Sequence, residues 1–364
     1  MSSAAKELEK NGIEIICPVN QFNINAVATY VANSLCSAFP ELNLNFDILF
    51  NAVSTIPMYF ANMPANMTDA CYYYKTTSVY FRHGVPFETL KKLALHECIH
   101  HLQEVRSSDG ELKKLGLCKY VGNRAKGNAL NEAAVQYMSA YSAMEEIDEV
   151  TYYGITLPTP SPDYYPLITN LIKQIGLLTG YKTLFDSTFF ANEKIYEVMK
   201  SKFGLRGTAL IRQNFDKLLK YEDKINKVNV KIQTEDLSYK KLNRLNKFKD
   251  KCKEHIQRTF MNTQNIIISN YFDTRIKELR TTEEIEEYRQ YLYGFNSLVG
   301  KVDGDSFFSD FYIQKMTALD NIYERITNDN NLVVVHTSKL QVLFKAIKNL
   351  FIRDKDVQIK EVKE

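Results

Sequence analysis

The chain has 364 residues, with 46 Lys and Arg against 43 Asp and Glu, for a formal net charge of +3. That near-balance argues against a global polyanion binder. Hydrophobic residues at 45% and charged residues at 24% exclude a disordered chain, and 14 Gly and 9 Pro are too few for a fibrous or linker-rich one.

The first twenty residues carry charges of both signs and lack the apolar core of a secretory signal. No stretch approaches the roughly 18 apolar residues of a membrane span. The expected location is therefore cytoplasmic, with no membrane partner. Cys17, Cys36, Cys71, Cys98, Cys118 and Cys252 form no CxxC pair and read as free thiols.

Ile13 to Cys17 reads as a strand stopped by Pro18, and Phe22 to Phe39 has helical apolar spacing that ends before Pro40. Residues 61–70 read as a loop. Tyr72 to Arg82, rich in Tyr, Thr and Val, predicts one strand. Pro86 and Glu88 then suit the first turn of a helix over 86–106, whose apolar stripe is Leu95, Cys98, Ile99, Leu102 and Val105. Residues 107–127, with four glycines, read mostly as loop. Asn128 to Met144 predicts an Ala-rich helix suited to close packing. Residues 156–166 read as a Pro-rich connector, with helices over about 164–179 and 192–203.

Gly204 and Gly207 mark an expected division of the chain into 1–205 and 206–364. The second part predicts long helices, then a short strand at 332–338 and a last helix to about 352. Residues 211–260 carry 14 Lys and Arg against 7 Asp and Glu. Their Lys-rich face reads as a solvated surface of packed helices, so nucleic acid is not the expected partner. The fold class expected is α+β and mostly α: a small mixed sheet with a site-bearing helix, followed by a predominantly helical region.

The chemistry lies in Leu93 to Val105, which contains His96-Glu97-Cys98-Ile99-His100. On a helix, residues four apart share one face, so His96 and His100 can aim two imidazoles at one divalent ion. Glu97 lies beside that face, placed to hold and deprotonate a water. A third ligand is needed, and Glu132 on the Ala-rich helix is the leading candidate. Its other reading is a first-turn acid complementing the helix dipole. Cys118 and His101 are rivals for the ligand position, although His101 points about 100° from His100 on a helix.

An HExxH motif followed by Asn131-Glu132 on a second helix resembles the gluzincin class of zinc metallopeptidases, the thermolysin-like clan. The resemblance covers roughly residues 70–205. It implies a zincin-like metallopeptidase domain over 1–205, one Zn²⁺ per chain held by His96, His100 and Glu132, and Glu97 as catalytic base. It also implies a peptide or protein substrate lying along the edge of the 72–82 strand. Where the best-known members have Asp four residues after the ligand Glu, this chain has Gln136, whose carbonyl can still accept a hydrogen bond from an imidazole.

An oxyanion stabiliser is also required. Tyr137, Tyr141, Tyr152, Tyr153, Tyr165 and His336 are candidates, with none preferred. The leading expectation is a zinc-dependent peptidase. The alternatives are a zinc hydrolase of another amide or ester, and a non-catalytic helical module that a structural zinc stabilises.

Overall fold

The computed structural model describes residues 8, 11–65, 67–121, 124–304 and 307–328. It is mostly helical with three small sheets among the described residues, an α+β arrangement dominated by α. The first sheet holds β1 (Glu14–Pro18), β2 (Met58–Asn62), β3 (Ala70–Tyr73) and β4 (Ser78–Arg82), in the order β1-β2-β4-β3. Two helices, α1 (Gln21–Ala38) and α2 (Phe46–Ser54), lie between β1 and β2 in sequence. The Asn20 and Asn45 side chains cap them by accepting hydrogen bonds from the Asn23 and Ile48 amides at 2.8 and 3.0 Å. The buried residues of α1 are Ile24, Val27, Ala28, Val31, Ala32 and Leu35, a single helical stripe.

The strand expected over 72–82 is two strands. Residues Tyr74 to Thr77 form a turn, Thr77 at φ 51°, and β3 folds back antiparallel on β4. Without Gly, Pro or Asn to mark it, this turn is hidden in a run of β-favouring residues. β4 sits inside the sheet, and β3 is its edge.

Helix α3 (Phe87–Leu102) follows. It stops four residues short of the expected end because Glu104–Arg106 is a strand, β5. The expected loop at 107–127 is in fact a four-stranded antiparallel meander. It comprises β5, β6 (Leu112–Leu115), β7 (Cys118–Val121) and β8 (Arg124–Lys126). Strands of three or four residues give too short a window for period-2 patterning to register. Gly110 and Gly116, at φ 83° and 54°, turn the chain between them.

The Ala-rich helix is α4 (Asn128–Ser142). Part of the expected connector at 156–166 is strand. β9 (Asp148–Tyr152) and β10 (Ile155–Thr159) form a hairpin over Tyr153 and Gly154, both at positive φ, as a type I′ turn requires. Pro158 is tolerated in β10 because β11 (Lys301–Val302) pairs only with Ile155 and Thr156. Helices α5 (Pro166–Thr179) and α6 (Tyr181–Phe189) follow, and α5 is buried on most of its surface. Its Asn170 and Gln174 donate to the Leu298 carbonyl at 2.9 and 3.1 Å, satisfying buried backbone at the start of β11.

Helix α7 (Lys194–Thr234) runs through the expected boundary at 205/206. Gly204, at φ 74° and ψ 165°, makes a kink there, and the chain then continues into α8 (Tyr239–Arg275). The compact units divide elsewhere. Among the described residues, one unit spans 8–274 with 294–308, and the other 275–293 with 309–328. The second contains most of α9 (Thr282–Asn296) and α10 (Phe308–Asn328), joined by an Arg289–Asp320 ion pair at 2.5 Å. The strand at 332–338, His336 and the last helix fall outside the described residues. Among the described residues, no helix is long and apolar enough to cross a membrane.

Candidate metal centre

The site is built where α3 and α4 pack. On α3, Leu90, Ala94, Leu95, Cys98 and Ile99 are buried, which fixes the rotation of the helix and turns His96 and His100 toward α4. On α4, Ala133 and Ala134 are fully buried, and Ala140, on the cavity wall with Glu132, is nearly so. Glu132 then reaches both imidazoles, its Oε2 lying 3.5 Å from His96 Nε2 and 3.4 Å from His100 Nε2. The two Nε2 atoms are 3.1 Å apart.

These three separations are informative. Donors at about 2.0–2.1 Å from a tetrahedral ion stand about 3.4 Å from one another. His96, His100 and Glu132 therefore present their donor atoms as three corners of such a site, and they form a possible metal-binding group. The donor set, two imidazoles and one carboxylate, suits zinc.

The electrostatics point the same way. Burial opposes charge on Glu132, yet the charges and hydrogen bonds of His100 and His96 outweigh it and hold the carboxyl well below the usual carboxylate range. Burial likewise opposes charge on His96, while Glu132 and Glu97 draw its pKa upward. Two carboxylates thus converge on a part-buried spot, and among the described residues Lys92 is the one Lys or Arg lining the cavity. Lys92 is itself paired with Glu145 at 2.7 Å.

Glu97 does not join the ligand group. Its Oε2 accepts a 2.6 Å hydrogen bond from the Tyr72 backbone N–H, on the edge strand β3. The Tyr72 hydroxyl in turn donates to Glu104 at 2.9 Å, with His101 Nδ1 3.2 Å away, and Arg106 clasps Glu104 at 2.8 Å. Helix, edge strand and meander are tied together around the Glu97 carboxylate. His101 is turned toward Tyr72, and neither His101 nor Cys118 belongs to the ligand group. His83 lies edge-on to Phe60, and His255 stacks on Tyr221, both outside the group.

Gln136 lies beside His96 and helps raise its pKa, while its amide donates to Ser161 Oγ at 2.9 Å. Of the candidate oxyanion stabilisers, Tyr165 lines the cavity, with its ring centroid 6.4 Å from that of His96. Its backbone is left-handed at φ 53°, just before Pro166 opens α5. Burial, then Glu132 and Glu97, push its pKa far up, so it stays a hydroxyl donor. Tyr152 and Tyr153 face each other, with hydroxyls 3.3 Å apart, and Tyr137 and Tyr141 pack against Phe185. Sequence reasoning missed Tyr72, Tyr74, Tyr120 and Tyr164 as lining residues. Only strand alternation from Tyr72 into the turn at Tyr74 could have hinted at the first two.

The cavity measures about 540 Å³, the scale of a small-ligand site. One wall runs from Thr68 to Tyr74, and another from Pro160 to Tyr165. Comparison of the chain with protein-family models, with curated proteins and with solved structures finds no match.

Proposed function

We propose that this protein is a metal-dependent hydrolase of amide bonds, a peptidase of the gluzincin kind. The spacing of His96 Nε2, His100 Nε2 and Glu132 Oε2 as three corners of one coordination tetrahedron carries the reading. A zinc ion held there supplies a Lewis acid that acidifies water and polarises a carbonyl.

The chain's own groups perform the proton chemistry. The Tyr72 amide pins one oxygen of Glu97, leaving the other to take a proton from the attacking water and pass it to the leaving amine. Tyr165 donates its O–H to the oxygen that gains charge as the carbonyl is attacked. Cys118 standing outside the ligand group supports a fourth position left for water, against a closed structural site.

A second reading, hydrolysis of a short or non-peptide amide, is favoured by one observation. The outward edge of β3 is largely occupied by the protein itself. Thr68 Oγ1 donates to the Ala70 carbonyl, the Tyr72 N–H is taken by Glu97, and Arg106 donates to the Tyr74 carbonyl. A long peptide pairing along β3 would have to displace these contacts.

The test is hydrolysis of a mixed-length peptide library by zinc-loaded wild type and Glu97→Gln. Loss of about 10²–10⁴-fold in rate, with zinc content unchanged, is the expected result. Equal cleavage by the loaded variant would remove Glu97 as base.

A further inference from the structure

Gln103, the residue that ends α3, is 1% exposed. Its side-chain amide lies 2.9 Å from His100 Nδ1, the imidazole nitrogen that faces away from the ligand group. Three further observations converge on it. Its Oε1 is buried with no hydrogen-bond partner. That oxygen and Asn131 Oδ1 crowd the same point at the β6–β7 turn, 2.2 and 2.3 Å from where a Cβ on Gly116 would stand. The turn is fastened to both residues, since the Gly116 amide donates to the Gln103 carbonyl at 3.3 Å and the Leu117 amide donates to Asn131 Oδ1 at 2.9 Å.

Gln103 presents its N–H₂ to His100, while its Oε1 and Asn131 Oδ1 both crowd the buried space beside Gly116. Histidine can ligate through Nε2 in its neutral form only if the proton sits on Nδ1. Turning the Gln103 amide by about 180° resolves both faults. Its carbonyl oxygen then accepts the Nδ1–H of His100, and its N–H₂ faces Asn131 Oδ1.

We propose that Gln103 is the positioning residue of the metal centre: its side-chain carbonyl holds His100 in the Nδ1–H tautomer, and the Gly116 turn clamps Gln103 to Asn131, the neighbour of Glu132. One buried amide thereby links the helix carrying the imidazoles to the helix carrying the carboxylate. Gly116 has no room for a side chain because this contact occupies its place. The proposal rests on the metal-site reading, and its test separates the two.

Zn²⁺ affinity is measured by chelator competition for wild type, Gln103→Met and Gln103→Glu. The apo forms are melted in parallel, and histidine ¹⁵N spectra are taken of the loaded wild type. Met fills the volume and accepts no hydrogen bond, whereas Glu keeps an acceptor. The expected result is about 10–100-fold weaker binding for Gln103→Met, near wild-type binding for Gln103→Glu, and a proton on His100 Nδ1. Tight binding by Gln103→Met, equal weakening in both variants, or a proton on Nε2 would overturn the proposal while leaving the metal site standing. If Gln103→Met does not fold, the Glu variant and the spectrum decide. Wild type that binds no Zn²⁺ would overturn both readings.

Discussion

Glu222 on α7 is buried, with its Oε1 unpaired, and desolvation alone raises its pKa to about 8. In the unfolded chain a Glu titrates near 4.5. The folded protein therefore holds this proton more tightly. The stability linked to it is fully present below about pH 4.5 and is lost as pH rises through about 8. Glu222→Gln, a neutral isostere, is expected to raise the melting temperature at pH 8 and leave it unchanged near pH 4.5. Equal shifts at both pH values would show that Glu222 is not the titrating group.

At this same scale the motif was legible and its support was not. Four-residue spacing on a helix is a local property, so His96, Glu97 and His100 could be placed from sequence, and an Ala-rich helix pointed to Glu132. The side chains that hold them come from separate parts of the chain. Gln103 matters because Gly116 and Asn131 meet it, and Tyr72 because its backbone N–H meets Glu97 across 25 residues. No periodicity encodes such meetings. Tyr165 stood among five tyrosines with nothing in the sequence to raise it above the rest.

Between elements, the decisive feature is the close approach of α3 and α4. Ala134 is fully buried in α4 and points about 200° round the helix from Glu132, so it packs on the side of α4 away from the ligands. Ala134→Leu adds volume to a filled space and is expected to cost about 1–3 kcal/mol in unfolding free energy. It should also weaken Zn²⁺ binding, because a helix displaced by the larger side chain takes Glu132 with it. Denaturant melts with and without Zn²⁺ check both effects, and a stability loss with unaltered affinity would show that the ligand geometry does not depend on this packing. Helices with long apolar stripes, such as α1, were readable from sequence. The meander over 104–126 and the β3–β4 hairpin were not, because short strands and a turn lacking Gly or Pro leave too little pattern.

Across the molecule, the whole candidate site lies within the first compact unit, together with α7 and most of α8. The Lys-rich stretch is partly neutralised by its own acids. Lys227 meets Asp223 at 2.7 Å, and Lys241 meets Glu235 at 3.1 Å. Leu218, Ile225, Val228, Ile256 and Phe260 are buried, whereas residues 229–251 contain no buried side chain. The apolar positions Leu237, Leu242, Leu245 and Phe248, grouped by spacing in the sequence, are half-buried or exposed.

The ligand set decides the chemistry. Zinc K-edge X-ray absorption on the purified full chain, with zinc quantified per chain, reads that set directly. The expected result is about one zinc per chain, with only nitrogen and oxygen neighbours at about 2.0–2.2 Å and a spectrum lost in His96→Ala and Glu132→Ala. A chain that retains no zinc, or a sulfur neighbour at about 2.3 Å, would contradict it.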